Sequence, residues 1–68
     1  MRDIRFNAYE LAIITVMRRQ PNNWFTTNEL ANRMKIAWET AEKNLQSLYQ
    51  RGYLVKGKKK ERFYWRLY

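Results

Sequence analysis

Five cations, Lys56, Lys58, Lys59, Lys60 and Arg62, lie within seven residues near the C-terminal end, with Glu61 as the one carboxylate among them. Consecutive ammonium groups repel one another. Phosphates relieve that repulsion and release their own counterions, so this cluster suits a nucleic-acid backbone. A second set of polar groups, Glu39, Thr40, Lys43, Gln46, Ser47 and Gln50, precedes it. At about 100° per residue Glu39, Lys43, Gln46 and Gln50 share one side of a helix, flanked by Thr40 and Ser47. Lysine reaches the O6 and N7 acceptors of guanine, glutamine pairs with adenine, and a glutamate accepts from cytosine. Threonine and serine serve bases or phosphates. Thr26, Thr27 and Asn28 stand where a helix begins, and backbone N–H groups there can take a phosphate.

Other chemistry has little to stand on. The chain has no histidine and no cysteine, six carboxylates in all, and two glycines. Disulfides and zinc sites of the Cys/His kind are excluded, there is no phosphate-cradling glycine loop, and no catalytic pair can be nominated. The expectation is a protein that is not an enzyme and uses no cofactor, metal or small-molecule ligand. Fourteen Lys and Arg against six Asp and Glu give a net charge of +8. Such a surplus calls for a polyanionic partner, a nucleic acid or an acidic membrane surface. The longest near-apolar run, Leu11 to Met17, is far too short to span a bilayer. Residues 1–5 read as no signal segment, so a cytoplasmic or nucleoid-associated protein is expected.

The elements that must carry these groups can be read in order. Sixty-eight residues allow one domain, 1–68, with a small core. Three Trp, five Tyr and three Phe offer the packing that disulfides do not. Asn7 and Glu10 form a capping box that opens a first helix over 8–19, with Tyr9, Ala12, Ile13 and Val16 on one stripe and Leu11 and Ile14 on another. Pro21 and two asparagines end it. Trp24-Phe25 is a short extended piece. Thr26 and Glu29 form a second capping box, and Phe25 and Leu30 a hydrophobic staple. The second helix therefore starts at Thr27 and turns Leu30, Ala31 and Met34 inward. A third helix runs over 38–51, with Ala41, Leu45 and Leu48 on its buried face and Trp38 close to that face. Gly52 ends it by taking a positive φ. Beyond it the apolar period drops to two. Residues 53–56 read as a strand, 57–61 as a turn bent at Gly57, and 62–68 as the return strand. Phe63, Trp65 and Leu67 are expected in the core. Tyr64 and Tyr68, with Arg66, remain available as a stacking platform for an unpaired strand.

Helix, short strand, helix, tight turn, helix and hairpin is the order of an α+β winged helix-turn-helix. The chain resembles that superfamily, as in MarR- and ArsR-type regulators, through Glu29-Leu30-Ala31, then Ala41, Leu45, Leu48, Gly52, Tyr53 and Leu54. It departs from the pattern at Lys35, where such turns often have Gly, and at Ala37, where a capping Ser or Thr is usual. The resemblance implies a duplex DNA-binding regulator with the third helix in the major groove and the basic hairpin 56–62 on the backbone. Two other readings stand beside it: a protein-interaction module of a nucleic-acid-processing assembly, and an RNA or single-strand binder. The surplus apolar surface of the first helix, with Ile4-Arg5-Phe6, suggests a twofold homodimer. The competing account is that the hairpin aromatics, with Trp24 and Phe25, cover that surface within one monomer.

Overall fold

A computed structural model of the chain describes residues 6–68. Its elements are α1 (Ala8–Arg18), α2 (Thr27–Met34), α3 (Trp38–Gln50), β1 (Leu54–Lys59) and β2 (Arg62–Leu67). Both capping boxes form. The Asn7 side chain accepts from the Glu10 N–H at 2.7 Å while the Asn7 N–H donates to the Glu10 carboxylate at 2.9 Å. Thr26 and Glu29 reciprocate in the same way at 3.1 and 2.8 Å. Phe25 and Leu30, the two arms of the staple, are both buried. Ala37 begins α3 with no side-chain cap.

Helices α2 and α3 end in the same hydrogen-bond pattern, built from different residues. After α3, the Gly52 and Tyr53 N–H groups donate to the carbonyls of Tyr49 and Leu48, with Gly52 at φ +85°. After α2, Lys35 and Ile36 donate to Asn32 and Ala31. Here the left-handed position, φ 57° and ψ 46°, is held by Lys35. A side chain in that region is crowded against the backbone, so α2 stops at a strained residue where α3 stops at a relaxed one.

The hairpin pairs Leu54 with Leu67 through Lys59 with Arg62. The expected turn at 57–61 is corrected: Gly57 sits inside β1, paired with Tyr64, and the chain reverses at Lys60-Glu61, with φ 51° and 63°. Positive φ at both central residues gives the hairpin turn that matches strand twist. Phe25 adds a further rung. Its N–H donates to the Trp65 carbonyl at 2.8 Å and its carbonyl accepts from the Trp65 N–H at 2.7 Å.

The core comprises Ile13, Met17, Phe25, Leu30, Leu45, Leu48, Leu54 and Trp65, with Ala31 and Ala41 buried beside them. Met34 and Leu67, expected inside, are partly buried against it, and three further expected members are exposed. Tyr9, Trp38 and Phe63 are 46%, 50% and 46% exposed. Tyr9 is displaced because α1 turns Glu10, Ile13 and Met17 inward instead of the Tyr9–Val16 stripe. The carboxylate of Glu10 is drawn in by Ser47 at 2.8 Å and Arg51 at 3.2 Å, both from the end of α3. Asn44, buried one turn earlier, accepts from the Asn7 side chain and donates to the Thr40 carbonyl. Ile14 and Val16 pack against the core rim, which leaves Tyr9 and Leu11 as the exposed large apolar groups of α1.

Burial pushes the Glu10 carboxyl up, but the Asn7 N–H, Ser47 and Arg51 together outweigh it and hold the group below its ordinary 4.5. A depressed folded-state value means the stabilisation is complete above the unfolded value and lost as pH falls through and below it. Glu10→Gln should therefore cost about 1–3 kcal/mol at pH 7, and the gap to wild type should close below pH 4.5 in urea melts; a gap independent of pH would refute the linkage. Lys35→Gly should raise stability by about 0.5–1 kcal/mol, because the relief of left-handed crowding exceeds the added freedom of the unfolded chain. Thermal melts should show an increase of a few degrees, and a lower midpoint would contradict the strain at Lys35.

Candidate nucleic-acid interface

The basic cluster is divided by the alternation of the hairpin. Lys56 is half-buried on the inner face, its ammonium 4.4 Å from the Phe63 ring centroid, 5.2 Å from Trp65 and 5.5 Å from Tyr49. It is an aromatic-seated cation more than a free one. Lys58 lies at the rim of the same face, 5.6 Å from Phe63. Lys59, Lys60 and Arg62 project from the wing tip and are exposed, as is Lys58. Among the described residues, none of these four makes a salt bridge. Adjacent cations without acidic partners produce a concentrated positive field at the tip.

Helix α3 gives up more of its polar face than its sequence suggests. Glu39, Lys43 and Gln50 are exposed. Thr40 is half-buried, its carbonyl accepting from Asn44. Gln46 donates to the Glu42 carboxylate at 2.9 Å, and Ser47 donates to Glu10. The Thr27 side chain is turned away from solvent. It is 7% exposed, its hydroxyl donating to Glu42 at 2.8 Å and accepting from the Trp65 indole N–H at 3.0 Å. Its side chain is therefore part of the scaffold. Asn28, one residue later, is exposed, so the first turn of α2 stays open at that position.

A groove runs between the starts of α2 and α3 and the wing, lined by Thr26, Asn28, Trp38, Glu42, Arg62 and Phe63 among others. Trp38 and Phe63 give it an apolar character that the pattern of polar residues does not signal. On the opposite, outer face of the hairpin lies Trp24, 41% exposed, with the Arg66 guanidinium 5.0 Å from its ring centroid. Gly57 is the sequence signal for it: a glycine inside a strand marks a close approach by another group.

Comparison with known proteins places this arrangement. Among solved structures, the whole chain superposes on a mutant of the winged-helix regulator ZitR from Lactococcus lactis with a TM-score of 0.83 at 18% sequence identity. The match covers 100% of this chain and 47% of that one, so the chain spans about half the length of ZitR. At that identity the likeness establishes the fold, an α+β winged helix with a two-stranded antiparallel hairpin. No curated protein matches the chain, and no helix among the described residues is long and apolar enough to cross a membrane. The family model of the DnaD N-terminal domain matches residues 2–66, and the winged-helix protein described here belongs to that family.

Proposed function

We propose that the domain binds double-stranded DNA, with α3 against the major groove and the wing along the phosphate backbone, in the role of a transcriptional regulator in the cytoplasm or on the nucleoid. The observation that carries this reading is the wing tip, where Lys58, Lys59, Lys60 and Arg62 stand exposed. The first turn of α2, at Asn28, supplies a further phosphate contact through its N–H groups. Base reading is left to Glu39, Lys43 and Gln50, since Gln46 and Ser47 are spent on Glu42 and Glu10. Phosphate contacts then dominate, and binding is only semi-specific and steeply salt-dependent.

The Lys58→Ala, Lys59→Ala, Lys60→Ala triple variant should weaken binding to all duplexes alike. The slope of log K against log salt should flatten by about one for each phosphate that the wing no longer neutralises. Fluorescence anisotropy at several salt concentrations measures this, and an unchanged slope removes the wing from the interface.

A second reading is favoured by Tyr9 and Leu11, each 46% exposed on α1, and by a family named for one domain of a protein. Here the domain is a protein-interaction module of a larger nucleic-acid-processing assembly; pairing with a second copy through α1 is a separate proposal, compatible with either reading. The Ile4-Arg5 part of the pairing segment expected from sequence lies outside the described residues. Sedimentation at micromolar concentration should show a dimer that Leu11→Asp dissociates; a wild-type monomer ends the α1 pairing and leaves the duplex reading intact.

A further inference from the structure

Trp24 is not needed by the core, yet it is held in one place. A Cβ added to Gly57 would come within 3.1 and 3.2 Å of Trp24 Cζ3 and Cη2. The six-membered ring therefore lies directly on the β1 backbone. Because Lys56 and Lys58 turn to the inner aromatics, Gly57 and its partner Tyr64 belong to the outer face. Phe25 pairs with Trp65, which sets Trp24 beside Arg66 on that face. The indole thus crosses the hairpin with Arg66 stacked on it at 5.0 Å. Arg66 Nε is buried without a hydrogen-bond partner among the described residues, so stacking is what the structure shows holding this side chain.

Two depressions adjoin on this face. One lies beside the indole that covers Gly57 and is lined by Trp24, Gly57, Lys58, Lys59 and Tyr64. The other is lined by Lys59, Lys60, Arg62 and Tyr64. They share Lys59 and Tyr64, so an aromatic slot opens directly onto a cationic one. A duplex makes poor use of such a surface, because its bases are stacked on one another and present only their edges. An unpaired strand offers both parts needed: a base face for the aromatic rings and a phosphate for the cations.

We propose that the outer face of the wing is a single-stranded nucleic-acid site. An unpaired base enters the depression beside the Trp24 ring, against Tyr64 and Lys59, and the adjoining phosphates lie on Lys59, Lys60 and Arg62. The aromatic part of the site lies on a different face from α3, while Lys59, Lys60 and Arg62 are shared with the duplex reading.

The test compares dT12 with an abasic oligonucleotide of the same length, which keeps the phosphates and removes the bases. Stacking of one or two bases should make the wild-type protein bind dT12 roughly 5- to 100-fold more tightly than the abasic strand. Trp24→Ala and Tyr64→Ala, each checked for folding by circular dichroism, should abolish most of that ratio. Both should leave affinity for a 12-base-pair duplex within about twofold. The rU12 strand, run beside dT12, distinguishes an RNA from a DNA source. Equal binding of dT12 and the abasic strand by the wild-type protein overturns the proposal without recourse to any variant. So does a folded Trp24→Ala protein that keeps the full dT12 preference. A wild-type protein that prefers dT12 to the abasic strand but does not bind the duplex upholds the proposal and counts against the duplex reading alone.

Discussion

Trp65 is completely buried, and each neighbouring element holds it by a different kind of contact. Its backbone closes the two-way bridge to Phe25. Its indole N–H donates to Thr27 at the start of α2. Its ring meets Tyr49 of α3 edge-on at 6.0 Å. A tryptophan combines a large apolar area with one donor that must be satisfied when buried. Here Thr27 satisfies it and passes the hydrogen bond on to Glu42, which also accepts from Gln46. The hairpin, α2 and α3 are thereby locked in one relative position. In a domain with a thin stability margin, the wing is placed beside α3 by the same residue that fills the core.

This economy has a cost on the functional face. A helix of thirteen residues has few outward positions, and α3 uses several to hold its neighbours. Ser47 and Arg51 anchor Glu10 of α1, Asn44 anchors Asn7, and Glu42 with Gln46 closes the relay from Trp65. Removing one partner from such a buried network costs more than the pair contributes on its own, so these positions are poorly free to vary. The unengaged polar side chains of α3 are reduced to Glu39, Lys43 and Gln50, which are exposed, and the basic surplus lies on the wing.

The wing then has two unlike faces. The inner one seats Lys56 and Lys58 over aromatic rings and continues the core. The outer one carries Trp24, Tyr64 and Arg66, with Lys59 and Arg62 beside them. Strand alternation produces this division directly. It lets one six-rung hairpin present exposed cations at its tip and an aromatic surface away from α3.

The element order, both capping boxes, the stop at Gly52 and the basic hairpin were legible from sequence alone. Each depends on residues within about four positions of one another, or on composition, and needs no knowledge of distant partners. The winged-helix resemblance rested on that same local order, and the family proved to be that of the DnaD N-terminal domain. Tertiary structure decided what the pattern left open. Glu10 turns inward because Ser47, 37 residues away, receives it. Thr27 leaves the surface because Trp65, 38 residues away, needs an acceptor. Gly57 became a strand residue under Trp24, and the reversal moved to Lys60-Glu61, because cross-strand register is set by the buried face of the whole hairpin. Phe63 and Trp65 share the same alternation; only contact with Phe25, Thr27 and Tyr49 selects Trp65 for the core. A periodicity names the face a side chain is on, while its burial depends on what the rest of the chain brings against that face.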